Sequence, residues 1–418
     1  MPSLRRSLLA ALTGASAMAL CARTAFADPA PPFSQLLKSA ETSAPRLAES
    51  RADVAQSEGL ARQATARPNP TVGVRVENVS GSGPFRGSEA AETTFEVQQA
   101  LEFGGKRPAR IAAGRADLNA VRVKAVQARA DFAFDLAAAY AAAEAADLRV
   151  QLATDAIALA QEDERVATAL VRAGKEADLR RLQAQSAVQS ARAGLDAAKA
   201  ERATAFSRLT ALAGAEAPIT SIAVSLLDHA DRMDPVSSPD PVASPGYLAA
   251  QAAREAAARR VRVEQTRAAP DVSVSLGVRR LSGDNATALV GGVSLPFPVF
   301  DRNKGGISAS QAVLRAADAR LNGARLDAQA DITSLVSRAG AAQSRVAALR
   351  ETERTASEAY RLTRVGYEGG KLPLLELISA RRALTDARAQ TLDARLERLA
   401  AEAALARLDG RIPFGDQP

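Results

Sequence analysis

The sequence predicts a mainly α-helical protein built from two tandem repeats, each with two β-strands followed by a long helical hairpin. The 418-residue chain matches itself at an offset of 196 residues. In each half, a stretch of alternating apolar and polar residues precedes a long alanine-rich stretch with few prolines. A repeat of this kind indicates two copies of one structural unit.

The first 27 residues have the features of a bacterial secretory signal. An arginine pair is followed by an apolar stretch and by the small-residue cleavage site Ala25-Phe26-Ala27. Cys21, the one cysteine of the chain, lies inside this leader, and the bulky Leu20 before it disfavours lipidation. We therefore expect an exported chain that needs no disulfides.

Charge and hydropathy argue against a nucleic-acid-binding protein and against a membrane protein with transmembrane helices. The chain has 54 basic and 47 acidic residues, which are finely interspersed, and only 4% aromatic residues. A nucleic-acid-binding protein would concentrate its basic residues on one face, so this class is disfavoured. The part after the leader has no apolar run of about 18 residues, so membrane entry would have to use β-strands.

The helical stretches of the two halves share one seam pattern. Apolar residues alternate in steps of four and three from Ala184 to Leu212, and again from Ala380 to Leu408. This spacing is typical of coiled coils. Arg202 and Arg398 fall at the same place in the two seams. We interpret them as arginines whose stems pack while their heads reach solvent.

Each helical stretch contains one break with a glycine, at 171–175 and 366–373. Glycine favours the left-handed cap at the end of a helix, so both breaks predict tight turns. The predicted hairpins cover about 108–213 and 303–410. The arms of the first would have about 60 residues, or roughly 90 Å.

The alternating stretches predict four strands, at about 71–80, 93–103, 271–281 and 288–299. Their length of about ten residues and one-sided apolar pattern match transmembrane barrel strands. An ordinary half-buried sheet has the same period, but export and the absence of a globular core favour the barrel. Four strands cannot close a barrel, so other copies of the chain would have to complete it.

Three segments resemble the cobalt-zinc-cadmium (CzcC-like) branch of the TolC-like outer-membrane efflux proteins. They are 67–70, which reads Arg-Pro-Asn-Pro, 101–107, and 295–303. The resemblance implies a homotrimer, in which a twelve-stranded outer-membrane β-barrel continues into a twelve-helix periplasmic α-barrel. It also implies two partners besides outer-membrane lipid: a periplasmic adaptor (membrane fusion protein) and an inner-membrane pump of the resistance-nodulation-division (RND) type.

This resemblance gives the domain organisation and the function that we expect. Residues 28–216 and 247–412 would be the two repeats, 217–246 an equatorial linker between them, and 413–418 a tail. The protein would passively conduct heavy-metal cations such as cobalt, zinc or cadmium across the outer membrane of a Gram-negative bacterium. Two alternatives stay open: a conduit for drugs or for type I protein secretion, and a periplasmic coiled-coil scaffold.

In the family that the sequence resembles, the hairpin turns form the periplasmic mouth and meet the adaptor and pump. Carried onto this chain, these tip residues are Arg172, Ala173, Gly174, Lys175, Tyr367, Gly369, Gly370, Lys371 and Pro373. Four nearby acids could ring the mouth and favour cations: Glu176, Asp178, Glu368 and Glu376. Bulky substitution of Gly174 or Gly370 is expected to abolish export while trimers still assemble.

Residues for metal binding or catalysis are scarce. His229 is the only histidine, and the part after the leader has no cysteine. Zinc sites need three or four suitable ligands, and nucleophile-base-acid sets need a base. We therefore expect no metal site, no cofactor and no enzyme activity.

The stretch 99–110, QALEFGGKRPAR, resembles a phosphate-binding loop only superficially. Ala100 stands where that motif needs its first glycine, and Arg107 where it needs serine or threonine. We interpret the stretch as one of two junctions between strand and helix. The junction residues are Gly104, Gly105, Lys106, Arg107 and Pro108 in the first repeat, and Phe300, Asp301 and Arg302 in the second.

Pro108 is suited to a first helical turn, and Asp301 can cap a helix. Lys106 and Arg107, by contrast, would lie unfavourably at the positive end of a helix. We interpret them as ligands of phospholipid head groups at the periplasmic rim, so that reversing both charges would impair membrane assembly.

Overall fold

The computed structural model describes residues 29–232 and 235–414. The predicted leader with Cys21 and most of the predicted tail lie outside these described residues.

Four strands form one antiparallel sheet in which the two repeats meet. The strands are β2 (Thr71–Glu77), β3 (Glu92–Leu101), β5 (Val272–Leu281) and β6 (Ala286–Ser294), in the order β2-β3-β5-β6. β3 of the first repeat pairs with β5 of the second over their whole length, from Glu92 opposite Leu281 to Leu101 opposite Val272. In the described chain β2 and β6 are therefore the edge strands.

Two strands end three or more residues earlier than the alternation predicts. β2 stops at Glu77 because Asn78 takes a left-handed backbone conformation, with φ of 58°. β6 stops at Ser294, since Pro296 and Pro298 follow and cannot donate ladder hydrogen bonds.

Seven α-helices make up most of the described chain. Their bounds are α1 (Phe33–Ser43), α2 (Pro45–Gln63), α3 (Lys106–Arg172), α4 (Asp178–Ala213), α5 (Pro245–Arg267), α6 (Lys304–Glu368) and α7 (Leu374–Leu408). α3 and α4 form the first hairpin, and α6 and α7 the second. None of the helices in the described ranges is long and apolar enough to cross a membrane.

The expectation of arms of about 60 residues in the first hairpin is wrong for its second arm, α4. α3 has 67 residues but α4 only 36, and α6 has 65 but α7 only 35. The missing length is supplied by α2 and α5, which the sequence analysis did not predict. Near the sheet α3 packs against α2 and α5, and α5 also packs against α6.

Short helices of each repeat meet end to end at the middle of the molecule. The Ser43 hydroxyl donates to the carbonyl of Ala213 at 3.0 Å, which joins the end of α4 to the α1–α2 corner. In the second repeat the end of α7, at Gly410, abuts Pro245 at the start of α5. Four helices therefore run beside each other both near the sheet and near the turns.

The main hydrophobic core lies at this equator. It joins α1, the middle of α3, the end of α4, the segment after α4, and α7. The segment contains a two-residue strand β4 (Ser221–Ile222), which pairs with β1 (Pro29–Ala30), and a 3-10 helix over Leu227–Asp231. The predicted linker 217–246 is thus packed rather than loose, and α5 already begins within it, at Pro245.

Candidate functional site

The first hairpin turn is exposed and closed by backbone hydrogen bonds. Gly174 takes φ of 70°, and the Lys175 N–H donates to the carbonyl of Leu170 at 3.0 Å. Residues 172–179 are all exposed, so Arg172, Ala173, Gly174 and Lys175 form one accessible surface. Only a residue without Cβ adopts this φ at no steric cost, which explains the glycine.

The second turn has a related backbone and a different side-chain arrangement. Gly370 takes φ of 66°, and the Lys371 N–H donates to the carbonyl of Gly366 at 2.8 Å. The Leu372 side chain folds back over Gly366, where an added Cβ would lie only 2.6 Å from Leu372 Cδ1. The predicted tip residues Tyr367, Gly369, Gly370, Lys371 and Pro373 are all exposed here.

The predicted mouth acids are partly neutralised by arginines of their own helices. Asp178 lies 2.7 Å from Arg181, whose hydrogen bonds lower the pKa of this carboxyl. Glu368 lies 3.1 Å from Arg364. Glu176 and Glu376 are exposed near the same turns. The described residues of one chain therefore do not contribute a strongly negative segment to the predicted mouth.

Lys106 and Arg107 of the first junction both bind groups of the protein. This corrects the interpretation that they lack protein partners and therefore bind phospholipid head groups. Lys106 Nζ lies 2.7 Å from Asp271, and its side chain is only 17% exposed. Arg107 donates to the carbonyl of Thr65 at 2.9 and 3.1 Å. Asp271 directly precedes β5, so the unfavourable charge of Lys106 at the helix N-terminus is balanced by the neighbouring repeat.

Both helices of the junctions begin slightly differently from the prediction. α3 begins at Lys106 rather than Pro108, which keeps Pro108 within the first turn, where its missing N–H costs nothing. Gly104 is required by close approach, because a Cβ there would lie 2.4 Å from that of Ala269. Asp301 does not cap α6: its carboxylate accepts from the N–H of Asn303, the residue before the helix. Phe300 is fully exposed, and Arg302 donates to the carbonyl of Pro298.

Four side chains that the sequence analysis did not assign to any site bind the equatorial segment. The Glu144 carboxylate, 8% exposed, accepts from the N–H groups of Leu226 and Leu227 at 2.8 and 3.1 Å. One turn earlier the Tyr140 hydroxyl donates to the carbonyl of Val224 at 2.8 Å. Burial raises the pKa of Tyr140 to about 12, so the phenol stays a donor at physiological pH.

The repeated arginines complete this arrangement, and the interpretation that their heads reach solvent is wrong for Arg398, while Arg202 stays partly exposed. Arg398 is 2% exposed and donates to the carbonyls of Ala230 and Arg232 and to Glu402. Arg202 donates to the carbonyl of Thr220 at 2.6 Å and to Asp147. The recurrence of arginine at the offset of 196 was the signal that could have identified them.

The two faces of the sheet differ in chemistry. The polar face has paired charges: Arg279 donates to Glu92 and Thr94 at 3.0 Å each, and Arg75 lies 3.5 Å from Glu96. The opposite face exposes the side chains Val72, Val74, Phe95, Val97, Val274, Leu276, Val278, Leu289 and Val293. Polar residues on one face and apolar residues on the other are typical of a sheet between water and hydrocarbon.

His229 lies on the equatorial 3-10 helix, with its ring 5.6 Å from that of Phe414. Its neighbour Asp231 is directed towards Arg395, at 2.9 Å, and Arg350. Among residues 29–232 and 235–414, no group of three or more histidine, cysteine or acidic side chains could hold a metal ion.

Comparisons with known proteins agree with this architecture. The sequence matches the family described as "Outer membrane efflux protein" over residues 36–215 and 243–411. It is 41% identical to the nickel-cobalt-cadmium resistance protein NccC of Alcaligenes xylosoxydans xylosoxydans, covering 92% of this chain and 88% of that protein.

Two relatives from Cupriavidus metallidurans are also similar to the chain. The nickel and cobalt resistance protein CnrC is 41% identical over 92% of both chains. The cobalt-zinc-cadmium resistance protein CzcC is 29% identical over 79% of this chain and 78% of its own length.

A solved structure supports the fold. The outer membrane channel MtrE of Neisseria gonorrhoeae, in its open state, superposes with a TM-score of 0.73 at 19% identity, covering 93% of this chain and 91% of that one. Membership of the family also decides against the periplasmic scaffold, because it assigns the chain to the outer membrane, with an extension into the periplasm. The chain belongs to the outer membrane efflux protein family, in the branch of these metal-resistance proteins, and is a transport conduit rather than an enzyme.

Proposed function

We propose that this conduit exports heavy-metal cations, with cobalt as the first candidate. The observation that carries the proposal is the likeness to NccC and CnrC over nearly the whole chain. Cobalt is the one metal that the names of all three relatives share. The described residues offer no metal-binding cluster, so the cation would pass without being held. Energy and selectivity would then come from the pump.

The working form would be a homotrimer. In the described chain the sheet has four strands with β2 and β6 at its edges, and such edges cannot be left open to lipid. Three copies would close a twelve-stranded barrel by pairing β6 of one chain with β2 of the next. The four helices that each chain contributes at each level would likewise form a twelve-helix periplasmic tunnel.

The partners would be a periplasmic adaptor and an inner-membrane RND pump, met at the two hairpin turns. The exposure of residues 172–179 and 367–373 supports this placement. The pairing of Asp178 and Glu368 with arginines argues against an acidic ring as the source of cation selectivity. The domain organisation follows: two repeats, 28–216 and 247–412, joined by the equatorial segment.

Deletion of the gene in a strain without a redundant conduit tests the substrate. We expect reduced tolerance to cobalt, nickel and cadmium, restored by the wild-type gene, with little change in tolerance to lipophilic drugs. Unchanged metal tolerance, or a loss confined to drugs or to a secreted protein, would contradict the metal assignment.

Tip variants test the partner surface in the same strain. Gly370→Trp and Gly174→Trp should abolish metal tolerance while the protein still runs as a trimer on native gels. Gly83→Trp is the matched control, since Gly83 also has positive φ and open space around it. It lies in the loop between β2 and β3, away from the hairpin turns. Equal effects of all three variants would show that backbone strain, rather than a contact at the turns, causes the loss.

A further inference from the structure

We infer that Phe103 and Phe297, the rim phenylalanines, contact the boundary between head groups and acyl chains in the periplasmic leaflet of the outer membrane. The inference rests on the proposed membrane-spanning sheet and goes beyond it by fixing the depth of the sheet. It also assigns the lipid contact at the periplasmic rim to these two aromatic rings instead of to Lys106 and Arg107.

The rim phenylalanines lie just beyond the ends of their strands, at the same number of residues from one row of the sheet. The pairing places Thr93, Arg280 and Thr287 in one row across three strands. Phe103 follows Thr93 by ten residues, and Phe297 follows Thr287 by ten. β3 and β6 run in the same direction, and both rings follow within three residues of a strand end, so they lie beyond the same edge of the sheet. Their side chains are 51% and 83% exposed.

The distance between the two levels matches an outer-membrane apolar band. Ten residues at about 3.3 Å each give about 33 Å along a strand, and a strand tilt of about 40° reduces this to about 25 Å. That is about the height of the lipid-facing band of such barrels, which aromatic residues border. The exposed Arg280 in the row at the other end suits the opposite boundary, where long cationic side chains reach the interface.

Between the two levels the apolar face is free of charge. Its residues on β3 are Phe95, Val97, Gln99 and Leu101. The one polar side chain among them, Gln99, donates its amide hydrogens to the carbonyls of Pro68 and Ala100 at 2.9 Å each. A polar group satisfied in this way is tolerated in hydrocarbon.

The nearby cations are already engaged, whereas the chain covers only about half of Phe103 and less of Phe297. Lys106 binds Asp271, and Arg107 binds the carbonyl of Thr65. Phe103 follows β3, an inner strand flanked by β2 and β5 of the same chain. A second copy would pair at β2 or β6 and so would not lie directly beside β3. Lipid is therefore the occupant that this position fits.

The absence of tryptophan from the chain makes a direct test possible. Single-tryptophan variants Phe103→Trp and Phe297→Trp would be reconstituted in vesicles of phosphatidylcholine carrying bromine either near the head-group end or near the terminus of the acyl chains. We expect blue-shifted emission for both, quenched more strongly by bromine near the head groups. Tryptophan keeps an interfacial aromatic ring at these positions.

Two further variants separate failure of this inference from failure of the proposed membrane sheet. Val97→Trp lies in the middle of the band and should be quenched most by terminal bromine, while Phe85→Trp, in the loop beyond the sheet, should not be quenched. If Val97→Trp is quenched and the rim variants behave like Phe85→Trp, the rim assignment is overturned. If Val97→Trp is also unquenched, the membrane sheet itself is wrong. Quenching of Phe103→Trp alone would mean that a neighbouring copy covers Phe297. It would overturn the inference that both phenylalanines contact lipid.

Discussion

The helices α4 and α7 occupy equivalent positions in the two repeats, but a single chain encloses only α7. Of the α7 seam positions from Ala380 to Leu408, these seven are buried: Leu384, Ala387, Thr391, Ala394, Arg398, Ala401 and Leu405. In the α4 seam only Ala184, Val188 and Leu209 are buried. α7 packs against both α6 and α3, whereas α4 packs mainly against α3. The seam of α7 therefore packs within its own chain. In the trimer that we propose, part of the same seam pattern in α4 would pack against a neighbouring copy.

The largest expected effect comes from the arginines that occupy equivalent seam positions. Arg398→Ala should lower the free energy of unfolding by about 3 to 5 kcal/mol, because two carbonyls and Glu402 lose the hydrogen bonds of a buried guanidinium. Arg202→Ala should cost only about 1 to 2 kcal/mol, since its side chain is 33% exposed and water can replace it. Urea unfolding of both variants in detergent measures the difference. Equal losses would contradict the contrast between enclosed and open seams.

The next effect concerns α3 and α6, which also differ at equivalent positions. Glu144 binds the equatorial segment, but the corresponding residue of α6 is Gly340. Glu144→Leu should cost about 2 to 4 kcal/mol, because two buried N–H groups lose their acceptor. Glu144→Gln keeps one acceptor oxygen and should cost less than half as much. Hydrogen exchange of the Leu226 and Leu227 amides would report the loss locally, and unchanged protection in Glu144→Leu would contradict this role.

A smaller effect distinguishes the two turns. Gly366 has Leu372 folded against it, whereas the equivalent residue in the first repeat is Leu170. Gly366→Ala should destabilise by about 1 kcal/mol, because the added methyl forces Leu372 away. Gly340→Ala, in the same helix with open space around it, should instead stabilise by about 0.5 to 1 kcal/mol. Adding Leu372→Ala should remove the penalty of Gly366→Ala. If it does not, the contact between these two residues is not the cause.

Local patterns made much of the fold predictable from the sequence. The period of two along β3 and β5 and the four-three seam of α7 are properties of consecutive residues, and both are present in the structure. Errors arose where one residue overrides the pattern, as Asn78 and Pro296 do at the strand ends. Exposure of the turns also followed from their position between two helices.

Long-range partners could not be predicted in this way. Arg398 binds the carbonyl of Ala230, 168 residues away in a segment without periodicity, so its seam position suggested only a packed stem. Lys106 and Asp271 meet because the register of β3 on β5 brings the start of β5 to the first junction. Neither residue carries a local signal of the other, so the sequence alone predicts a lipid ligand for Lys106.

The smallest effect concerns these junctions, which the two repeats stabilise differently. The first has the ion pair of Lys106 with Asp271, while at the equivalent position of the second Arg302 binds only a carbonyl among the described residues. Lys106→Met should cost about 0.5 to 1 kcal/mol at low salt, since the pair is partly exposed, and less at high salt because ions screen it. Arg302→Met is the matched control and should change the midpoint of thermal unfolding by less, with no salt dependence. A double substitution, Lys106→Asp with Asp271→Lys, should recover most of the stability that Lys106→Asp alone loses. If it fails while Lys106→Asp alone also prevents insertion into vesicles, the lysine would serve the membrane after all, and the protein-internal role assigned to it here would be wrong.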